Sequence, residues 1–284
     1  MGGRGKLAGI GAMVASPGGV IEIEIGILRS DVRLELPASA DSLPVVRQAL
    51  RSIGETVEAD EEAIEDAELA VTEALANAVE HAYADGQGPV QVFFMPQGEE
   101  MLVSVRDFGR GLEDPTVSRK STPGYGLAMI EAIARRVDIR AAEGTEIEMA
   151  FELGAAEPRA VDGAGLGIAP AERILRRVIA VVAAQVDMSV ERVMEALLVV
   201  ELVARHGLRY LVGQHVKIRV VRGEGSFDLH VGPLEENGAL SVVQDTEIPV
   251  VGSVVQRLAE EVRVEKTQAE GIDCEYLVLR IATR

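Results

Sequence analysis

A chain of 284 residues has room for one large domain or two of ordinary size. Apolar residues make up 48% and aromatic ones 3%, with no Trp, so the core must be built from Val, Ile, Leu, Ala and Met. A formal charge of −18 argues against direct contact with nucleic acid or an anionic membrane surface, and a single cysteine, Cys274, excludes an internal disulfide. No apolar run reaches the roughly 18 residues of a membrane span. The four histidines are scattered, without metal-ligand spacing. Together these features predict a cytoplasmic protein.

Residues 1–30 read as a disordered leader, with Met13 as an alternative start. Residues 31–36 alternate as a strand, and 43–53 form a helix capped by Asp41 or Ser42. Residues 61–83, rich in Ala and Glu and free of Gly and Pro, predict one long helix. Strands follow at 89–95 and 101–106, then a long loop at 108–124, a helix at 125–136, and strands at 137–142 and 145–153. The Gly-rich stretch 154–169 is a linker; its glycines follow no strand, as a dinucleotide loop would require.

The second half, 170–284, repeats this order: helices at 171–184 and 190–207, strands at 216–221 and 226–231, a loop at 232–249, a helix at 250–261, and strands at 262–265 and 274–281. Glu73-Ala-Leu-Ala-Asn77 faces Glu201-Leu-Val-Ala-Arg205, and Gly126-Leu-Ala-Met faces Gly252-Ser-Val-Val, which predicts an internal duplication.

Four short motifs in the first half carry chemistry. Glu73, Asn77 and His81 are spaced four residues apart along one side of the long helix, opposite a core stripe of Val71, Leu75, Ala78 and Ala82. Leu69, Ala70 and Ala76 are expected on the polar side, where small residues leave room for a ligand. Asn77 offers an uncharged oxygen suited to Mg²⁺ where phosphates supply the negative charge. Glu73, one turn away, can accept a proton from an attacking hydroxyl. Asp107 ends a strand and can accept a hydrogen bond from an exocyclic amine, while Gly109 and Gly111 let the backbone approach a flat base. Gly124 and Gly126, around Tyr125 and before Leu127, open a helix whose free N–H groups favour phosphate. In the loop between them, Arg119 and Lys120 can reach a terminal phosphate or remain solvated. The fourth motif is Gly144-Thr145 before the last strand, where Thr145 can support the base side through its hydroxyl.

In this order the motifs resemble the ATP-binding domain shared by gyrase, histidine kinases and MutL, and most closely the bacterial anti-sigma-factor serine kinases; Asn77-Ala-Val-Glu-His81-Ala-Tyr is the closest phrase. The resemblance covers residues 31–153 and implies an α+β, two-layer sandwich of the Bergerat type. Its mixed, mostly antiparallel sheet carries helices on one face, present here in tandem. It implies ATP and Mg²⁺ as cofactors, with Asn77 holding the metal and Glu73 as general base. Asp107 would read adenine, and His81, Gly109, Gly111, Arg119, Lys120, Gly124, Tyr125, Gly126, Leu127 and Thr145 would line the pocket. It further implies phosphorylation of a serine on an anti-anti-sigma partner of the STAS fold, and capture of a sigma factor. Because such kinases form homodimers, a fused second copy implies a pseudo-dimer within the chain, or a homodimer of chains. With Arg205 facing Asn77 and Gly232 facing Asp107, that copy is expected to be silent toward ATP. The alternative function is an ATP-dependent protein-binding switch with little phosphoryl transfer. A histidine kinase would need a phosphoacceptor histidine, and none stands upstream of residue 60.

Overall fold

A computed structural model of the chain describes residues 19–27, 31–83, 88–110, 125–154, 168–269 and 271–283. Its centre is one ten-stranded sheet. The strands are β1 (Val20–Gly26), β2 (Val32–Pro37), β3 (Pro89–Gln97), β4 (Glu100–Asp107), β5 (Arg136–Ala142), β6 (Gly144–Glu152), β7 (His215–Gly223), β8 (Ser226–Leu234), β11 (Glu261–Ala269) and β12 (Ile272–Ala282). They run in the order β11-β12-β8-β7-β1-β2-β3-β4-β6-β5, and every neighbouring pair is antiparallel. A two-residue hairpin, β9 (Glu247–Ile248) with β10 (Gly252–Ser253), stands apart.

The sheet reads as two fives back to back. β2-β3-β4-β6-β5 comes from the first half, and β7-β8-β12-β11 follows the same order in the second. The second half supplies four strands of its own, and β1 lies against β7 just as β2 lies against β3. This corrects the reading of residues 1–30 as leader. Val20-Ile-Glu-Ile-Glu-Ile alternates with period two, and its buried Ile21, Ile23 and Ile25 complete the core beside the second half's first hairpin. β1 and β2 meet at the middle of the sheet, with Ile23 opposite Leu34.

Helices cover one face. α1 (Ser42–Thr56), α2 (Glu61–Asn77), α3 (Tyr125–Ile133), α4 (Ile168–Gln185) and α5 (Val190–Gly207) pack in the row α3-α2-α1-α4-α5, and α6 (Gly238–Asp245) and α7 (Val254–Leu258) lie against α5. Ile, Val, Leu and Ala from both layers form one continuous core, as the scarcity of aromatics requires. The opposite face of the sheet is polar and cross-linked. Glu22 and Glu35 stand directly opposite each other at the centre, a like-charge pair that would repel. Each is drawn toward a neighbouring strand instead: Arg219 donates to Glu22 at 2.6 Å and Gln91 to Glu35 at 2.8 Å.

α2 sits between α1 and α3, so its buried surface is wider than a single stripe. Ala67, Ala70 and Ala74 are buried there, which corrects the placement of Ala70 on the polar side; alanines let the three helices approach closely. Two second-half elements also differ from expectation. The stretch 232–249, expected as a loop, contains α6, whose Ala239, Val242 and Val243 are buried. The helix expected over 250–261 shrinks to Val254–Leu258. Val250 and Val251 lie in the turn of the β9–β10 hairpin, and the Ser253 side chain caps the helix by accepting from the Gln256 amide.

Candidate functional site

The site is assembled at the C-terminal end of α2. Glu73 and Asn77 are partly exposed, one turn apart. Immediately after Asn77 the helix widens into a π-turn, Ala78–Ala82, an irregularity that gathers at functional sites because it re-aims backbone groups. Here it lets the Ala82 carbonyl accept from the Arg110 amide at 2.9 Å. A Cβ on Gly109 would lie 2.0 Å from that same oxygen, so only glycine lets the segment after β4 lie so close to the helix.

Asp107 is 6% exposed at the end of β4. Its Oδ1 accepts from the Gly109 amide at 2.9 Å and the Thr145 amide at 3.2 Å, which fixes the carboxylate plane. Its Oδ2 makes no such bond among the described residues. Gly144 has φ +92°, and a Cβ there would meet the Asp107 carbonyl oxygen at 2.1 Å, so the β5–β6 turn presses on the same point. On the neighbouring helix, a Cβ on Gly126 would lie 1.8 Å from Glu73 Oε1. The first turn of α3 therefore carries the Glu73 carboxylate directly on its backbone.

The structure thus brings Glu73, Asp107, Gly109, Gly126, Gly144 and Thr145 around the end of α2 that carries Asn77. Thr145 takes part through its backbone amide, with its hydroxyl not engaged in these bonds. Leu127 packs against the core. His81 is exposed, its Nε2 3.8 Å from Glu80 Oε2. Tyr125 begins α3. Gly111, Arg119, Lys120 and Gly124 lie outside the described residues. Sequence reasoning missed Tyr83, whose hydroxyl donates to the Pro89 carbonyl and accepts from the Phe108 amide at 2.9 Å. The one available signal was its place directly after the helix motif.

These residues suit a purine nucleotide with a metal carried by its phosphates. A buried carboxylate with one oxygen pinned by two amides presents the other as an acceptor for an amine. No group of three His, Cys, Asp or Glu side chains able to hold a metal occurs among the described residues. A Mg²⁺ ion held here would therefore depend on phosphate oxygens and an amide oxygen, for which Asn77 is suited.

The second half diverges at the same place. Buried residues of α2 and the start of the π-turn (Ala67, Ala70, Val71, Ala74, Leu75, Ala78) match in spacing Ala196, Val199, Val200, Val203, Ala204 and Gly207 of α5. That register shifts the sequence comparison by one residue: His206, not Arg205, matches Asn77, and Leu202, not Glu201, matches Glu73. Aligning the β3–β4 and β7–β8 hairpins places Pro233, not Gly232, at the position of Asp107. Arg205 instead pairs with Glu201 at 2.9 Å along the exposed side of the helix. Asp245, at the end of α6, lies 3.6 Å from His206 Nδ1 and accepts from the Tyr210 hydroxyl at 3.1 Å. α6 therefore lies against the turn of α5 that corresponds to the Asn77 end of α2.

Residues 36–151 match the model of the histidine kinase-like ATPase domain. The chain is also similar to the serine-protein kinase RsbW of Staphylococcus aureus strains JH9 and Newman. Each is 28% identical over 133 residues, covering 42% of this chain and 84% of the relative. A solved structure of the RsbU and RsbW domains of Rv1364c from Mycobacterium tuberculosis matches 97% of this chain and 94% of that one. The TM-score is 0.27 and the identity 10%, too slight to carry an argument. No helix among the described residues is long and apolar enough to cross a membrane.

Proposed function

We propose that the first half is an ATP-dependent protein-serine kinase acting on a small anti-anti-sigma partner of the STAS fold, and that the chain also holds a sigma factor. The observation that carries the reading is the buried Asp107 carboxylate, whose Oδ1 accepts from the Gly109 and Thr145 amides and so leaves Oδ2 as the acceptor for a ligand. Similarity to RsbW supports a serine side chain as acceptor. Bound Mg-ATP supplies the γ-phosphoryl group and the metal charge that neutralises it. Asp107 Oδ2 would accept from the adenine amine beside Gly109, and Asn77 would hold the metal through its amide oxygen. Glu73, propped on the Gly126 backbone, takes the proton of the incoming serine hydroxyl. The first turn of α3 offers amides to phosphate.

The second half, in this reading, binds no nucleotide. An imidazole at the Asn77 position, a proline at the Asp107 position and α6 packed over the corresponding helix turn support that view. It acts as the fused counterpart of a second subunit, with the antiparallel β1–β2 pair as the joint.

Calorimetry with ATP, with and without Mg²⁺, on the wild type and Asn77→Ala tests the pocket. One site per chain, with the Mg²⁺-dependent gain lost in the variant, is expected; two sites would overturn the silent second half. Transfer of labelled phosphate to a STAS-domain protein then tests the chemistry. Glu73→Gln should retain ATP binding and lose transfer by at least about a hundredfold. Binding without any transfer by the wild type would make the protein an ATP-dependent switch.

A further inference from the structure

Four hydrogen bonds order the strand ends and the segment after β4 beside the π-turn, and the Tyr83 hydroxyl makes two of them. Tyr83 closes the π-turn that follows Asn77. Its hydroxyl donates to the carbonyl of Pro89, the first residue of β3, and accepts from the amide of Phe108, the residue next to Asp107. One residue earlier, the Ala82 carbonyl takes the Arg110 amide. One residue on from Phe108, the Gly109 amide turns back to Asp107 Oδ1. The peptide run 108–110 is thus held alternately by the helix end and by the carboxylate it must position. The Tyr83 ring is itself seated: a Cβ on Gly88 would come 2.1 Å from its Cε1, so glycine is needed beneath it. Burial raises the phenol above its ordinary ionisation range, so it remains an O–H donor at neutral pH.

We infer that Tyr83 is a positioning residue for base recognition: by holding the Phe108 amide against the end of the π-turn, it sets the direction in which Asp107 presents Oδ2 to the ligand. Tyr83 does not touch the base. It rests on the reading of the first half as an ATP site. It goes further in making the ATP preference depend on a residue of the metal-bearing helix, so that a shift of that helix alters which base is accepted.

Tyr83→Phe keeps the ring on Gly88 and removes both hydrogen bonds. The experiment compares binding of ATP and of purine riboside triphosphate, which lacks the exocyclic amine, by the full-length wild type and the variant. The wild type should prefer ATP. In Tyr83→Phe, ATP should weaken by roughly five- to tenfold, as expected for about one hydrogen bond's worth of misdirection, while the amine-free nucleotide stays within about twofold. The preference then collapses. An equal loss for both nucleotides, or none for either, would overturn the inference and leave Tyr83 with a structural role. A wild type that binds neither nucleotide, or both equally, would instead overturn the underlying assignment of Asp107. If Tyr83→Phe does not fold, hydrogen exchange at the Phe108 amide of the wild type decides. Protection that deepens with ATP supports the inference, and exchange at the rate of an open peptide overturns it.

Discussion

At the scale of single residues, the site is defined as much by absent side chains as by present ones. Gly126 and Gly109 both face contacts that a Cβ would violate, but the opposing atoms differ. At Gly126 the obstacle is the end of the Glu73 side chain, which can swing aside; at Gly109 it is the Ala82 backbone carbonyl, which cannot. Gly126→Ala should therefore leave the fold and most of the ATP affinity intact while displacing the proposed base, and phosphate transfer should fall by ten- to a hundredfold or so. Gly109→Ala should lower thermal stability and ATP binding together, by about 1–3 kcal/mol of folding free energy. Calorimetric melting beside a transfer assay separates the two. Glu73, Asn77, Asp107, Gly109, Gly126 and Thr145 could be singled out as candidates from the sequence because motif order needs no coordinates. The role of Tyr83 could not be read that way, because it comes from a hydroxyl spanning two strand ends, which leaves no periodic trace.

Elements were predicted well where their signal is local. The helix over 190–207 and the hairpins of β3–β4 and β7–β8 follow from apolar period and turn residues. α6 was missed because eight residues opening on Gly238 carry too little pattern. β1 was missed because its six alternating residues adjoin a Gly-rich stretch. The comparison of halves slipped by one residue on α5 for a related reason: letters matched at Glu201, whereas burial sets the register. The outer face of β8 makes an element-scale prediction. His230 lies on that face among Glu265, Arg219, Asp228 and Arg263, and burial holds its imidazole below the ordinary value of about 6.5 despite Glu265. The unfolded chain then takes up that proton first, so the stabilisation is complete above about pH 6.5 and declines as pH falls. Asp228, held below its usual range chiefly by hydrogen bonding to Arg280, loses its contribution only in stronger acid. Denaturant midpoints measured from pH 7 to pH 5 should fall in the wild type and flatten in His230→Gln. Parallel curves would refute the assignment.

In the whole molecule, the two halves are joined at two levels. In the sheet β1 and β2 pair, and in the helical layer Arg177 of α4 grips Glu55 of α1 through both guanidinium nitrogens, at 2.8 Å for the closest contact. Because β1 closes the core of the second half, a cavity in it should be felt far along the chain. Ile23→Ala should cost about 2–4 kcal/mol, and hydrogen exchange should quicken in β7 as well as in β2. Loss confined to β2 would mean that β1 belongs to the first half alone.

The position of β1 in the chain also governs how the molecule can be made. Ribosomal synthesis delivers β1 before its partner β7, which lies roughly 200 residues later. At about 5–20 residues per second, β1 emerges some 10–40 s before that partner exists. During that interval its open edge, with alternating isoleucines, has only β2 to shelter it. The like-charged pair Glu22 and Glu35 at that junction still lacks Arg219. The second half therefore has to be synthesised before β1 gains its other neighbour and Glu22 its cation.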